Sequence, residues 1–339
     1  ISTFALGFAN YLQAIVPWIN VKIVALGLLV LCVLFNMVGL KTAAKLQTIM
    51  VAVLMAALCV YIIFGLPRVN FSVFTEPGAI MPNGAISFFT ASALLYFPMG
   101  GAKFVAELGG EIKDPGKTIP RSMFLSTGIV AVFYALMGVV AAGVLPVEEV
   151  AGKTLVVSAK EIFPTSVYLF FVIGGALFAL ATTLNGTLSW ITKGLFVASK
   201  EGWFPESLAD TNKHGVPYKL LLIFFVIGAV PIVTGMDVSF ISSLGVGLTV
   251  ICNVLPVSAA YRLKEKKAEA YENATFKIGN TALRVITVIS VILLLVTGWL
   301  NLKDLNLVTW ISLAVFAVLC VIYANLREKV VIEKAAGKK

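Results

Sequence analysis

Charge and histidine are what this sequence has least of. Only 13% of its 339 residues are Asp, Glu, Lys or Arg, and it holds a single histidine, His214. Soluble domains run at about 25% charged and about 45–50% apolar residues. Here the apolar share is 59% and the mean hydropathy is +0.98. That balance excludes disorder, argues against a soluble domain and points to a polytopic membrane protein. The four cysteines, Cys32, Cys59, Cys252 and Cys320, each sit inside an apolar run. No disulfide framework or metal spacing is visible, and they read as small packing residues. His214 lies in a polar stretch without a partner and reads as a solvated loop residue.

Enzyme signatures are also missing. Gly152-Lys153-Thr154 resembles the tail of a phosphate-binding loop, but Val147 stands where its first glycine belongs. Gly245-Val246-Gly247 lacks the third glycine of a dinucleotide fingerprint. No catalytic residue, metal or cofactor is expected. The net charge of +9 reads as loop charge rather than as a nucleic-acid surface.

What the sequence has instead is long apolar runs. A span needs about 20 residues, because the hydrocarbon core is about 30 Å thick and each helical residue rises about 1.5 Å. Ten segments qualify: roughly 1–17, 22–38, 44–66, 84–111, 122–145, 165–199, 218–234, 238–262, 282–300 and 306–325. Turn chemistry at Pro17, Asn36/Gly39, Gly65/Pro67, Asp114-Pro115-Gly116, Pro146, Pro205 and Pro217 separates them. When the intervening loops are numbered alternately, nineteen Lys and Arg residues fall in one set and five in the other. The basic set, which includes the C-terminus, is expected in the cytoplasm.

The fourth segment carries the most information. Tyr96-Phe97-Pro98-Met99-Gly100-Gly101 sets a proline and two glycines near the middle of a span. Proline lacks a backbone donor and glycine weakens a helix by about 1 kcal/mol. In lipid, broken backbone is tolerated only where protein buries it or a cavity is lined by it, and transporters use such breaks to meet substrate at mid-membrane. The alternative is a proline kink with glycines for close packing. Lys103 follows the break. A charge this deep in a span is costly and marks a functional candidate, although Glu107 at i+4 offers an in-helix pair and lysine can snorkel. In the sixth segment Thr183 and Thr187 share a face, as candidates for an ion or substrate contact or as helix glue. Thr249 and Asn253 repeat that spacing in the eighth, where glue is the preferred reading.

Several of these stretches together resemble the amino acid–polyamine–organocation permeases. Phe97-Pro98-Met99-Gly100-Gly101 running into Glu111-Ile112-Lys113-Asp114-Pro115-Gly116-Lys117-Thr118-Ile119-Pro120-Arg121 is similar to that family's sixth helix and the loop after it. Ala198-Ser199-Lys200-Glu201-Gly202-Trp203-Phe204-Pro205, with Gly215-Val216-Pro217 downstream, resembles the end of its eighth helix and the entry to its ninth. Asn36-Met37-Val38-Gly39-Leu40-Lys41 resembles the connection between its fourth and fifth.

The resemblance implies an all-α, LeuT-like 5+5 inverted repeat with two added C-terminal helices, here without the first two to three helices. Residues 1–66 would be a remnant of repeat one, 83–262 repeat two, 282–325 the last two helices and 326–339 a cytoplasmic tail. It implies a secondary transporter of amino acids or related organic cations, working by alternating access in the cell membrane and driven by protons, Na⁺ or exchange. Phe97 would close over substrate, and Met99, Gly100 and Gly101 would line the site beside the break at Pro98. Lys103, where the family often has glutamate, joins Thr183 and Thr187 as a coupling candidate. Glu111, Lys113, Pro115, Lys117, Pro120 and Arg121 would form the cytoplasmic loop motif. The competing reading is a non-transporting sensor or structural subunit on the same fold.

Overall fold

A chain in hydrocarbon must satisfy its own backbone hydrogen bonds, and helices do so locally. The computed structural model describes residues 1–38, 40–76, 81, 83–303 and 305–337, apart from the side chains at 40–46, 97, 111, 239, 243, 246 and 251. No strand occurs among the described residues.

In chain order the helices begin with α1 (Ser2–Ile15), α2 (Val21–Met37) and α3 (Leu40–Gly65). Next come α4 (Gly84–Leu94), the single turn α5 (Tyr96–Met99), a 3-10 stretch (Gly100–Glu111) and α6 (Pro115–Val144). The short helices α7 (Val147–Val150) and α8 (Val156–Ile162) precede α9 (Thr165–Phe170), a π-helical stretch (Phe171–Leu177) and α10 (Phe178–Glu201). The chain closes with α11 (Tyr218–Thr234), α12 (Val238–Ala259), the short α13 (Leu263–Lys266) and α14 (Ala268–Glu272), α15 (Asn280–Leu302) and α16 (Leu307–Ala335). Every apolar segment read from the sequence falls on helix.

Among the described residues, six helical stretches are long and apolar enough to cross a membrane: Gln47–Arg68, Pro115–Val144, Thr165–Glu201, Phe240–Lys266, Asn280–Leu302 and Leu307–Ala335. Many of their apolar side chains face outward, as at Leu293 (59% exposed) and Leu319 (58% exposed). A water-soluble monomer does not tolerate so much exposed apolar surface, whereas a lipid-facing helix requires it. The protein is an all-α polytopic integral membrane protein.

Two boundaries differ from the sequence reading. Only residues 112–114 are irregular where a longer loop is expected, and Pro115, Lys117, Pro120 and Arg121 lie in the first two turns of α6. Proline at a first helical position has its φ preset and loses no intrahelical bond. The Asp114 carbonyl, on a residue with φ of +50°, accepts from the amides of Lys117 and Thr118. At the other end, α16 continues unbroken to Ala335, so most of the expected tail is helical.

The chain forms two compact units. The first comprises Ile1–Phe71, Phe133–Val238 and Leu307–Lys339. Its helices α1, α2, α3, α10 and α11 pack through narrow stripes. In α1 the stripe is Ser2, Ala5, Leu6 and Ala9, and in α2 it is Ala25, Leu29, Cys32, Val33 and Asn36. Small residues let helix backbones approach where lipid removes any hydrophobic drive for association. At Gly174, in the π-helical stretch, a Cβ would stand 2.9 Å from Val53 Cγ1. Beside it Tyr61 stacks on Phe171 at 4.8 Å and shares a 2.7 Å hydrogen bond with Ser158 Oγ.

A polar network crosses this unit. Asn36 Nδ2 donates to Asn185 Oδ1 (2.9 Å) and to the Cys32 carbonyl (2.8 Å), while Ser189 Oγ donates to Asn36 Oδ1 (2.6 Å). Gln47 Nε2 donates to the Thr182 carbonyl (3.1 Å), so α2, α3 and α10 are tied together. The far end of α16 grips the turn after α10. Tyr323 Oη donates to the Trp203 carbonyl (2.8 Å), Arg327 to the Gly202 carbonyl, and Lys334 pairs with Glu206 at 3.5 Å.

The second unit comprises Ser72–Val132 and Ser239–Asn306. It holds α4, α5, the 3-10 stretch, the first part of α6, α12 and α15. Its core centres on Val250 and Leu294, with Tyr96, Val254 and Val257 against them. Gly247 and Gly298 face Leu302 and Val250 so closely that a Cβ would fall 2.2 Å and 2.9 Å from them, which holds α12 against α15.

Candidate functional site

The second unit contains the backbone irregularity that the sequence points to. The α-helix ends at Leu94, one turn follows over Tyr96–Met99, and from Gly100 to Glu111 the chain winds as a 3-10 helix. Such runs seldom exceed 3–4 residues and often mark hinges; this one has 12. The Met99 amide reaches the Leu95 carbonyl at 3.3 Å, past Pro98, which has no donor. The Ala93 carbonyl, near the end of α4, accepts from Asn301 Nδ2 of α15 (3.3 Å). The end of α4 is thus tied to a neighbouring helix.

A Cβ added at Gly100 or Gly101 would meet nothing within 4 Å. The close-packing reading of these two glycines therefore has no support in the geometry, and their backbone borders open space. Pro98 is exposed and Met99 partly so. The side chains of Phe97 and Glu111, both singled out in the sequence, lie outside the described residues, as does Gly39.

Just past the break lies a cleft of about 430 Å³, lined by Lys103, Phe104 and Glu107 from the 3-10 stretch and by Leu248, Thr249, Cys252 and Asn253 from α12. The four α12 residues fall on one face because they are spaced i, i+1, i+4 and i+5. Helix type also decides what Lys103 does. In an α-helix, residues four apart are rotated by about 40° and can pair; at three residues per turn they are splayed by about 120°. Accordingly Lys103 makes no ion pair with Glu107. Its Nζ instead sits 5.0 Å from the centre of the Phe104 ring, a cation–π distance. Asn253 Nδ2 donates to Tyr96 Oη (3.3 Å), which links the cleft wall to the turn before the break. Thr249 and Asn253, read from the sequence as helix glue, thus line an opening, and Asn253 also bridges.

Thr183 and Thr187 lie in the first unit. Each hydroxyl donates 2.7 Å to a carbonyl of its own helix, Ala179 and Thr183 respectively. Neither bridges helices. The glue on α10 is made by Asn185 and Ser189, whose partner Asn36 appears in the sequence only as part of a weak motif. A polar side chain eleven residues on from Ala25 in the buried stripe of α2 is the signal that could have found it. Among the described residues no group of His, Cys, Asp and Glu could hold a metal ion.

Comparison with known proteins bears on this arrangement. A family profile described as amino acid permease matches residues 1–324. The branched-chain amino acid permease BcaP of Lactococcus lactis is 24% identical over 76% of this chain and 57% of its own length. The amino-acid permease RocE of Bacillus subtilis is 30% identical over 48% of this chain and 34% of its own. An uncharacterized protein of Methanocaldococcus jannaschii, MJ0609, is 27% identical over 61% of this chain and 48% of its own. The chain spans about half the length of the curated relatives it matches.

Proposed function

The chain belongs to the amino acid permease family, and from that premise we propose that it acts in secondary transport of amino acids across the cell membrane. The observation that carries this reading is the open 3-10 backbone at Gly100 and Gly101 beside a cleft with polar lining. In transporters a helix interrupted at mid-span meets the charged or polar groups of a substrate, and the open space at these glycines lets a substrate approach the backbone. Met99, Gly100 and Gly101 are the contacts, with Phe97 as the closing aromatic. The transport cycle is alternating access, in which the broken helix changes its exposure from one side to the other. Lys103, Thr183 and Thr187 are the coupling candidates, whether the drive is a proton, Na⁺ or a counter-substrate. The Lys and Arg asymmetry supports a cytoplasmic C-terminus.

The test is uptake of radiolabelled amino acids by the protein reconstituted in proteoliposomes, under imposed proton and Na⁺ gradients and with internal substrate for exchange. Because two relatives are described as branched-chain amino acid permeases, leucine and isoleucine belong in the panel beside alanine, glutamate and arginine. Accumulation above protein-free liposomes, reduced when Gly100 and Gly101 are both replaced by valine, is the expected result. No uptake of any amino acid under any gradient or exchange condition overturns the proposal.

A further inference from the structure

We propose that the cleft beside Lys103 is a carboxylate-binding subsite; this rests on the transport reading only for its biological use. Three observations lead to it. The first is the helix type, since 3-10 winding keeps Glu107 from neutralising Lys103, and the lysine has no ion pair among the described residues. The second is the opposing wall, where Thr249 and Asn253 stand one helical turn apart. Asn253 is oriented by its bond to Tyr96, and the Thr249 hydroxyl adds a second neutral donor. The third is size, because about 430 Å³ is ample for a small amino acid with its first waters.

A lysine ammonium with two neutral polar groups opposite favours an anionic oxygen pair and repels an ammonium group. Phe104 and Leu248 supply apolar walls at the same level. Glu107 is exposed at the rim, where water screens its charge. It weakens the preference without reversing it. The carboxylate bound here is either the α-carboxylate common to all amino acids or the side-chain carboxylate of an acidic one, and cationic side chains are excluded.

Cys252 gives a native probe, because it lines the cleft and is exposed. In a background where Cys59 and Cys320 are serine, the rate of maleimide labelling at Cys252 is followed in detergent against added ligands. Alanine and glutamate, which carry carboxylates, should slow labelling, as should propionate, which has a carboxylate and no amine. Ethylamine and putrescine should not. Glutamate protecting at far lower concentration than alanine assigns the side-chain carboxylate; equal protection assigns the α-carboxylate. Lys103→Gln should raise the protecting concentration about ten- to a hundred-fold, the range expected when a charge-assisted hydrogen bond is lost. Glu107→Gln should lower it several-fold. Opposite shifts from two neighbouring substitutions are not produced by misfolding, and labelling without ligand reports whether the cleft is intact. Amines that protect as well as acids, or shifts of the same sign in both variants, overturn the proposal. Proteoliposome uptake is scored separately: uptake without carboxylate protection leaves transport standing and removes the subsite, and protection without uptake does the reverse.

Discussion

Replacing Asn36 with leucine probes how the first unit is held together. The side chain makes three interhelical hydrogen bonds, to Asn185 Oδ1 at 2.9 Å, to the Asn185 carbonyl at 3.4 Å and from Ser189 Oγ at 2.6 Å, and is only 6% exposed. Interhelical hydrogen bonds in membrane proteins average about 0.6 kcal/mol and reach about 1.7 kcal/mol. Losing all three therefore costs about 1–3 kcal/mol. Asn185 keeps its bond to Gln47 (3.4 Å) and Ser189 its bond to the Asn185 carbonyl (3.0 Å), which limits the loss. Once Asn36 is gone, the Asn185 Oδ1 acceptor is stranded, and removing both partners is less harmful than removing one. The double variant Asn36→Leu/Asn185→Leu should thus be destabilised by about 1 kcal/mol less than the sum of the singles. The assay is unfolding in mixed micelles, followed by tryptophan fluorescence and far-ultraviolet dichroism. A single variant within about 0.5 kcal/mol of wild type, or strict additivity in the cycle, refutes the reasoning.

Other expectations follow from the same coordinates. Gly247→Ala places a Cβ 2.2 Å from Leu302 Cδ2 and should destabilise the second unit by about 1–3 kcal/mol; Leu302→Ala should recover part of that loss in the double variant, measured by thermal unfolding. Arg327→Ala frees the Gly202 carbonyl from α16 and should raise amide exchange at 202–206 while leaving α12 unchanged. The Glu272 carboxyl is held below the usual carboxylate range, first by its hydrogen bond to Lys277 and then by that residue's charge. Its contribution to the 264–277 loop is therefore present above the ordinary carboxylate pKa and is lost as pH falls through the depressed value. Side-chain NMR of labelled glutamate should show that low midpoint, and it should return to the ordinary range in Lys277→Met. A cysteine at position 117 should resist impermeant maleimide in intact cells, and fast labelling from outside would invert the orientation taken from the charge asymmetry.

Helix positions were legible in the sequence because a bilayer imposes one length and one polarity on every span. The 218–234 segment coincides with α11 to the residue for that reason. Ends that leave the hydrocarbon follow weaker local rules, and there the sequence reading ran short: α6 starts at Pro115 and α16 runs on to Ala335. The interruption at Pro98, Gly100 and Gly101 was legible because proline brings no backbone donor and two glycines beside it weaken the helix further. Asn36 was not, because a lone asparagine in an apolar run does not show which helix it faces.

The sequence by itself determined that this is a membrane protein, which segments are helical and where one of them is interrupted. These follow from local properties: the apolar content of about twenty consecutive residues, and the missing donor of proline. Only the tertiary structure decided what surrounds the interruption. The i, i+4 spacing of Lys103 and Glu107 predicts a pair for an α-helix, but the segment winds as 3-10 and the two residues line one cleft without forming an ion pair. Thr249, Cys252 and Asn253 come opposite Lys103 through packing of α12 on α15 at Gly247 and Gly298, contacts that join residues far apart in the chain and that no local pattern encodes.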